Sequence, residues 1–536
     1  MIKAVRGTRD LLPPETALWN FVESAVRDVF RAYNFQEIRT PIFESTELFA
    51  RGVGEETDIV AKEMYTWEDG AEPANYAVYE GWLIKHYPGI GSFEKIGPDS
   101  LQRKLSGPTL QVHRTGDTNP TLVAFRHRVT FQDVNQLVEM RERWGERPGG
   151  KPRILFVTLP AAVSEGVRSL ATREKVEFEE LTPEHFAPPQ SLTLRPENTA
   201  GVVRAYIEHK MWDRGLQKLY YIGPQFRRER PQKGRYRQFY QIGAEVIGPE
   251  SAGSERPIRD AEVLEMLDTL LRRLGITDFT LELNSIGDVS DRAAYNEALR
   301  LALDPVARKM CVDCRRRAVT NPLRVFDCKV PEDQPIIQTL PLISSYLGAE
   351  SKEHFENVQA LLREAAVPFE INHRLVRGLD YYTRTAFEFT HGALGAQNAI
   401  LGGGRYDGLA ELLGSPQRAP GIGFAIGEDR LVMALQGRAS ETAQSVDAYV
   451  APVGEGMNRN ALALAKDLRR EGLVVELGDR SFRLKKMFEI AAKLGAKYIL
   501  IVGENEVKAN AFALKNLASG EQVSVPRGDL ARKIQE

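Results

Sequence analysis

"FRRERPQKGRYRQFYQIGAEVIG", residues 226–248, is the stretch that indicates most about the fold of this 536-residue chain. Pro231, Lys233 and Gly234 are typical turn residues, so the stretch predicts two strands around a turn. Side chains of the second strand alternate between the two faces of a sheet. The stretch therefore predicts an antiparallel pair whose second strand presents an unusual set of side chains on one face.

That face has an aromatic ring, an amide, a glycine and a carboxylate in a row: Phe239, Gln241, Gly243 and Glu245. A purine can stack on the ring, the amide offers a donor and an acceptor, and the glycine leaves space for a ligand on the sheet. The alternative is a solvated sheet face, because polar alternation is typical of half-exposed antiparallel strands.

Arginines crowd the same hairpin and favour a binding site for anions. The cluster consists of Arg227, Arg228, Arg230, Arg235 and Arg237. Like charges repel one another unless anions are present, and the planar guanidinium suits phosphate. A further arginine, Arg430, follows the strand "GIGFAIG" in the predicted first turn of a helix. The helix dipole disfavours a cation there, so a shared anion is the favoured explanation and a solvated arginine the alternative.

Bulk composition excludes several classes of protein. The chain is 43% hydrophobic and 27% charged with a net charge of −2, which is typical of a globular protein without a global affinity for nucleic acid. "MIKAVRGTRDLLPPE" has no apolar signal region and no stretch approaches a membrane span. Three cysteines suit a reducing compartment. We therefore expect a cytoplasmic protein without membrane contact.

The chain is predicted to be α+β, with one main domain interrupted twice. The predicted segments are 1–67, 190–285 and 372–437 for the main domain, 68–189 for an insertion of unknown fold, 286–371 for a mostly helical insertion domain and 446–536 for a small α/β domain. Without the first insertion, "MYTWED" and "SLTLRPE" would join as a short hairpin. "VHRTGDTNPTLVAFRHRVTF" within it mixes basic and aromatic residues, as single-strand nucleic-acid binders and many ordinary surface segments do.

Two further segments have compositions that are found in ligand-binding sites. "RGLDYYTRTAF" places Arg377 beside Tyr381 and Tyr382 in a predicted strand, where adjacent tyrosines point to opposite faces and only one can line a pocket. "ILGGGRYDGL" is glycine-rich but lacks the Lys-Ser/Thr of a P-loop, so tight backbone packing is the preferred interpretation.

The cysteines form a C-x2-C pair, Cys311 and Cys314, with a distant third, Cys328. A fourth ligand is missing from this spacing, which is unlike a zinc ribbon. Free cysteines are therefore the preferred interpretation and a zinc site the alternative, and no protein-bound metal is assigned.

Together these segments resemble the histidyl-tRNA synthetase family of class II aminoacyl-tRNA synthetases. "RTPIFESTELF", the opening stretch and "GIGFAIGEDRL" are similar to the three class motifs, and "RGLDYYT" and "LGGGRYDGL" to the two histidine signatures. The resemblance covers about residues 1–66 and 190–536. It implies an antiparallel catalytic sheet flanked by helices, a C-terminal anticodon-binding α/β domain, and a homodimer with Pro41 at its interface.

The resemblance also implies roles for the site residues. Phe239 would stack on adenine, Arg227 and Arg430 would bind the ATP phosphates, and Arg377 would contact the α-phosphate. For the histidine substrate, the implied contacts are Glu197 and Thr199 to the α-amino group, Gln241 to the substrate, and Glu245 and Tyr382 to the imidazole. Arg230 and Gln232 would meet the tRNA acceptor end.

The implied reaction joins L-histidine to ATP with Mg²⁺, giving histidyl-adenylate, and then transfers histidine to tRNA(His). The long insertion departs from the family, and Tyr240 stands where the family often has His or Trp; we expect the latter to change packing only. One alternative is the synthetase-like regulatory subunit of histidine biosynthesis, which typically lacks the anticodon domain. Another is a class II enzyme for a different amino acid, against which "RGLDYYT" and Glu245 argue.

Overall fold

The computed structural model describes residues 2–54, 57, 59–69, 81, 83–85, 87, 89–96, 109–126, 129–144, 151–158, 163–180, 190–232, 234–392, 398–435 and 446–536. The chain forms two compact units, one of residues 1–9 and 29–431 and the other of residues 10–28 and 432–536. Among the described residues, no helix combines the length and the apolar character needed to cross a bilayer.

An eight-stranded sheet forms the centre of the first unit. Its strands, in spatial order, are β1 (Gln36–Glu37), β10 (Gln217–Phe226), β11 (Gln238–Ile247), β16 (Gly421–Gly427), β15 (Ala399–Arg405), β14 (Thr383–Thr390), β12 (Thr280–Ser285) and β13 (Glu370–Ile371). The two outermost pairs are parallel and all inner pairs are antiparallel. This arrangement confirms the predicted α+β class with an antiparallel central sheet.

The predicted turn in the opening stretch is confirmed, although its strands are shorter than expected. Gln232 and Arg235 exchange backbone hydrogen bonds of 3.1 and 2.9 Å, and Gly234 has a φ of +75°. Lys233, the other predicted turn residue, lies outside the described residues. Because β11 begins only at Gln238, the arginines of the turn lie in a loop and not on the predicted strand face.

Helices flank this sheet. Outside the inserted segment, the helices of the first unit are α2 (Thr46–Val53), α5 (Thr199–Glu208), α6 (Pro257–Arg273), α7 (Val289–Leu303), α8 (Val312–Thr320), α9 (Gln334–Thr339), α10 (Ala349–Glu364) and α11 (Leu409–Leu412). The residues of α1 (Glu15–Ala32) and of α12 (Glu428–Ala434) are divided between the two units. Proline at the first position of α6 is favourable because its missing N–H has no helical partner there.

A smaller three-stranded sheet contains β2 (Phe43–Ser45), β9 (Gln190–Leu194) and β3 (Tyr65–Asp69), with β9 in the middle. Strands β3 and β9 are antiparallel, and Asp69 lies directly opposite Gln190. The hairpin predicted from "MYTWED" and "SLTLRPE" is therefore present, and the chain leaves and re-enters it at facing positions. Strand β9 leads into α5, which places residues 197–199 beside the main sheet.

The inserted segment has a sheet of its own. Its strands are β4 (Ile90–Lys95), β5 (Thr109–Arg114), β6 (Thr121–Phe125), β7 (Arg153–Thr158) and β8 (Val176–Glu180), in chain order, with helices α3 (Phe131–Trp144) and α4 (Glu165–Arg173). Strands β6, β7 and β8 are parallel, and β7 is buried along all but its first residue, as is typical of a covered parallel strand. Two separate apolar clusters form its core.

The helical segment between β12 and β13 shares its core with the main domain. Tyr295, Leu299, Cys314 and Val325 belong to one buried cluster that also contains Tyr382. A capping box between Asp288 and Asp291 starts α7 at the edge of this segment.

The second unit contains a five-stranded sheet in the order β18 (Val475–Leu477), β17 (Ala448–Pro452), β19 (Tyr498–Val502), β20 (Ala511–Asn516) and β21 (Gln522–Pro526). Strands β17, β18 and β19 are parallel, which confirms the α/β pattern. Its helices are α13 (Met457–Arg470), α14 (Leu484–Lys493), α15 (Glu504–Ala509) and α16 (Leu530–Gln535). The finer limits of the six predicted segments stay predictions.

We predict that the inserted segment can be removed without unfolding the rest. Because Asp69 and Gln190 face each other across the hairpin, replacing residues 70–189 with Asn-Gly should close it as a two-residue turn. The shortened protein should unfold cooperatively in a thermal circular-dichroism scan. A control deletion that also removes β9, residues 190–194, should fail to fold. If the variant with Asn-Gly in place of residues 70–189 is insoluble, the rest of the chain does not fold independently of the inserted segment.

Candidate active site

A cavity of about 290 Å³ lies against the main sheet of the first unit, on the face of β11, β15 and β16. Of the residues predicted for the site, eight line it: Glu197, Thr199, Arg227, Phe239, Gln241, Arg377, Tyr382 and Arg430. Glu245, Arg230 and Gln232 are not among the lining residues. The structure therefore brings most of the predicted site into one place.

Strand β11 contributes the ring and the amide as predicted. The guanidinium of Arg227 lies 5.2 Å from the centre of the Phe239 ring. The Oε1 atom of Gln241 is buried and has no hydrogen-bond partner among the described residues. A buried polar atom without a partner is costly, so a ligand group that bonds to it would be favoured. Tyr240, assigned to the opposite face, also borders the cavity.

The gap at Gly243 is occupied by protein. A Cβ atom built there would lie 2.3 Å from the hydroxyl of Tyr221 and 2.8 Å from the carbonyl oxygen of Phe424. Glycine is needed because the Tyr221 ring crosses the strand at this point. The interpretation of this gap as space for a ligand is therefore wrong, and Tyr221 itself lines the cavity.

Glu245 lies under the cavity, fully buried. Its two carboxylate oxygens accept hydrogen bonds of 2.7 Å from the hydroxyls of Thr199 and Tyr406. Burial raises the pKa of Glu245 to about 8, and these two hydroxyl donors oppose the rise only in part. Glu245 thus acts on the cavity through Thr199 in this arrangement, and direct contact with an imidazole stays a prediction.

Glu197 and Thr199 meet at the start of α5. The carboxylate of Glu197 accepts backbone N–H groups of Thr199 at 2.8 Å and Ala200 at 3.0 Å, so it caps the helix. Burial raises the pKa of Glu197, and the same two amides oppose this shift. The cavity therefore has a fixed acceptor at one end, where the helix terminus favours negative charge.

Both tyrosines of "RGLDYY" line the cavity, contrary to the prediction that only one could. The rings of Tyr381 and Tyr382 lie 4.7 Å apart, and Tyr381 Oη lies 3.5 Å from Glu197 Oε2. The alternation rule fails because β14 begins at Thr383, which leaves both tyrosines before the strand. Burial raises the pKa of both phenols, which keeps them protonated and able to donate.

Arg377 lies flat against the glycine-rich strand β15. A Cβ atom at Gly402 would overlap its guanidinium, whereas one at Gly403 would overlap the backbone carbonyl of Gly423, which confirms the predicted tight backbone packing. Its Nη1 donates to Glu388 at 2.6 Å, while its Nε has no partner among the described residues. Burial disfavours the charged guanidinium, but Glu388 outweighs this effect and raises the pKa of Arg377. Glu388 was not predicted as a site residue. It is the only carboxylate in strand β14, and this was the feature of the sequence by which it could have been found.

Arg227, Arg235 and Arg430 lie close enough together along the cavity for their charges to act on one another. Burial and the charges of Arg235 and Arg227 lower the pKa of Arg430, whose Nη1 also donates to the carbonyl of Ala399 at 3.0 Å. The carboxylate of Glu229 lies between Arg235 and Arg227, at 2.9 Å from Arg235 and 3.9 Å from Arg227. A bound anion would relieve the mutual repulsion among these arginines.

Arg230 and Gln232 are exposed in the turn before β11 and outside the cavity. Tyr406, which holds Glu245, was missed from the sequence. It directly follows Arg405 in "GGGRYDG", and Arg405 is fully buried between Asp260 and Asp407 at 2.5 and 2.8 Å. This buried ion pair fixes the segment on which Tyr406 lies.

Comparison with known proteins agrees with this geometry. Residues 165–431 match the family model for histidyl-tRNA synthetase, and residues 447–536 match that for an anticodon-binding domain. The histidine–tRNA ligase of Koribacter versatilis (strain Ellin345) is 56% identical over 532 residues, covering 99% of this chain and 95% of the relative. The histidine–tRNA ligase of Solibacter usitatus (strain Ellin6076) is 46% identical over 535 residues, covering 100% of this chain and 99% of the relative.

Among solved structures, apo histidyl-tRNA synthetase of S. aureus superposes with a TM-score of 0.65 at 30% identity and covers 100% of both chains. The antiparallel sheet, the arginine-lined cavity and the anticodon-binding domain define a class II aminoacyl-tRNA synthetase. The chain belongs to the histidyl-tRNA synthetase family and is an aminoacyl-tRNA ligase. The regulatory-subunit and other-amino-acid alternatives are set aside by these matches.

We predict that Glu245 makes the protein less stable as pH rises. Its folded-state pKa of about 8 lies above the ordinary value of 4.5, so between these values the folded chain binds more protons than the unfolded chain. The free energy of unfolding should fall through this window, by up to about 1.4 kcal/mol per pH unit. Glu245→Gln cannot titrate and should lose this slope in urea denaturation at pH 5.5, 6.5 and 7.5.

The matched control is Glu370→Gln, because Glu370 is exposed on strand β13. This control should keep the slope of the parent protein. Parallel pH profiles for the parent and Glu245→Gln would contradict the elevated pKa.

Proposed function

We propose that this cavity forms histidyl-adenylate from L-histidine and ATP, with its arginine end for the phosphates and its Glu197 end for the amino acid. The observation that carries this proposal is that one cavity gathers several arginines, a buried helix-capping carboxylate and two phenols. Arg227, Arg377 and Arg430 line it together with Glu197, Thr199 and the two tyrosines. A substrate pair with an anionic and an ammonium end matches this distribution.

At the arginine end, Arg227 and Arg430 bind phosphate oxygens and adenine stacks on Phe239. Arg227 already contacts the face of Phe239, so nucleotide and guanidinium share one surface. Arg377 contacts the α-phosphate, where its free Nε supplies a donor. The histidine carboxylate and the α-phosphate are both anionic, so neutralising their charge is the main contribution of the protein to the first step.

Mg²⁺ would supply further neutralisation of the phosphate oxygens. Magnesium prefers carboxylate oxygen and water, and the carboxylates of Glu229 and Glu388 line the arginine end of the cavity. These two residues therefore have the donor chemistry to hold the ion. Both also pair with arginines, at 2.9 Å for Arg235 and 2.6 Å for Arg377, which keeps the guanidinium groups oriented.

At the other end, the substrate ammonium bonds to Glu197 and Thr199, and Gln241 Oε1 gains the partner that it lacks. Tyr382 donates to the imidazole, with Glu245 supporting Thr199 from below or taking the second ring nitrogen directly. Two polar groups that bond to both ring nitrogens reject isosteric side chains by about 10⁴–10⁵-fold, because an analogue leaves them unpaired.

The second step brings the 3′ end of tRNA(His) to the same cavity. We assign Arg230 and Gln232, exposed in the turn before β11, to contact with the acceptor end. The α/β domain of residues 447–536 contacts the anticodon, since unstacked loop bases are the readable part of an RNA. We further propose a homodimer and a cytoplasmic location, supported by the class of enzyme.

ATP–pyrophosphate exchange tests the proposed activation step. The purified full chain should exchange pyrophosphate with histidine and with none of the other nineteen amino acids. Exchange with another amino acid would overturn the roles of Tyr382 and Glu245. Absence of exchange, with histidine binding intact in calorimetry, would overturn the proposed activation.

A substitution at Arg377 should affect the chemical step more than binding. We expect Arg377→Gln to lower kcat of exchange about 10²–10³-fold, as for the loss of one preorganised donor, with a smaller change in KM for histidine. Arg374→Gln is the matched control, because Arg374 lies three residues away and does not line the cavity. Equal effects of the two substitutions would contradict a role at the α-phosphate.

A further inference from the structure

The helical segment contains a second cluster of reactive groups, separate from the cavity. Cys311, Cys314, Cys328 and Asp333 place three Sγ atoms and a carboxylate oxygen within 4.8 Å of one another. The sequence offered three cysteines without a fourth ligand. The fold supplies it, because the chain turns back after Cys328 and brings Asp333 against the thiols.

The distances within the cluster match those of a tetrahedral metal site. Zinc bonds of about 2.3 Å to sulfur and 2.0–2.2 Å to carboxylate oxygen place sulfurs roughly 3.8 Å apart and oxygen roughly 3.5 Å from sulfur. Cys311 Sγ and Cys328 Sγ are 3.9 Å apart, and Cys328 Sγ lies 3.2 Å from Asp333 Oδ2. The remaining pairs of the four ligand atoms also lie within 4.8 Å of one another.

The charge balance of the cluster favours a cation. Asp333 is 1% exposed, Cys314 is 0% exposed and Cys328 is 6% exposed. Among the described residues, no lysine, arginine or histidine forms an ion pair with Asp333. A buried carboxylate without a counter-charge is expensive, and the donors to this one are the amide of Cys311 and thiols of the cluster, none of which carries a positive charge. A divalent ion would supply the missing positive charge.

Backbone amides around the thiols are arranged as they are around metal-bound thiolates. The N–H of Cys314 donates to Cys311 Sγ and the N–H of Val330 donates to Cys328 Sγ, both at 3.4 Å. Cys311 caps α8 and Cys314 lies in its first turn, so the start of this helix fixes both side chains. Such outer contacts orient ligands and stabilise their charged form.

We propose that Cys311, Cys314, Cys328 and Asp333 form a structural zinc site. Three thiolates and one carboxylate in a tetrahedral arrangement favour Zn²⁺ over magnesium or calcium, which prefer oxygen. All four positions are filled by protein, so the ion has no open coordination site and no part in a chemical step.

The proposed zinc site holds a segment that contacts the stretch "RGLDYY", residues 377–382. Between Cys314 and Cys328, Arg324 donates to the backbone carbonyl of Arg377 at 2.9 Å, and Asn321 donates to Asp380 at 3.0 Å. Zinc closes the chain around these two donors and so fixes the backbone on which Arg377 lies. This consequence rests on the proposed function, whereas the metal site itself does not.

Metal content of the full chain tests the site directly. Protein purified without chelators and dialysed should hold about one zinc per chain by mass spectrometry of the metal. Asp333→Asn should weaken zinc at least about tenfold in competition with a chromophoric chelator. Asp313→Asn is the matched control, because Asp313 lies on α8 with its side chain 63% exposed and outside the cluster. It should keep zinc at the affinity of the parent.

A second measurement needs no substitution. Zinc removed with a chelator under reducing conditions should be replaceable by Co²⁺, giving the visible bands of a tetrahedral thiolate complex at one equivalent. Absence of both metals, with three titratable thiols, would overturn the site. An intact mass two hydrogens lower, from a bond between Cys311 and Cys328, would also overturn it. Loss of pyrophosphate exchange in the zinc-loaded parent would instead count against the proposed function.

Discussion

The buried carboxylate of Glu245 is the constraint on which the catalytic unit depends. It is fully buried, so both of its oxygens need donors, and the donors come from Thr199 and Tyr406. These residues lie at the start of α5 and directly after β15. One polar group thus ties three distant segments of chain together, and each of them supplies residues to the cavity above it.

A near-neutral chain can still gather several arginines in one pocket. The net charge is −2, yet Arg227, Arg235 and Arg430 lie close enough that their charges act on one another. Glu229 and Glu388 hold two of the guanidinium groups of the cavity in place. Such preorganised charge needs no rearrangement when a phosphate enters, which is what stabilisation of a charged transition state requires.

The sequence predicted the fold class, the hairpin across the insertion and eight of the residues that line the cavity. These predictions rested on local patterns, such as turn residues and strand alternation, or on ordered motifs. The predictions that were wrong or incomplete have one physical origin. Each depended either on the residue at which a strand begins or on a side chain that is distant in the sequence but close in the fold. Tyr381 and Tyr382 do not alternate between the faces of the sheet, because β14 starts only after them. The space beside Gly243 is filled by Tyr221 of the neighbouring strand. Asp333 lies near the cysteines only because the helical segment folds back.

The order of strands in the main sheet has a consequence for synthesis on the ribosome. Strands β11 and β16 are neighbours, but about 170 residues of chain separate Ile247 from Gly421. At bacterial-type elongation rates of 5–20 residues per second, β11 waits roughly 10–35 s for its partner. The sheet of the inserted segment instead pairs its strands in chain order. Nascent chains should therefore contain a folded inserted sheet while strands β1, β10 and β11 of the catalytic sheet still expose an unpaired edge. A chaperone has a substrate during this interval.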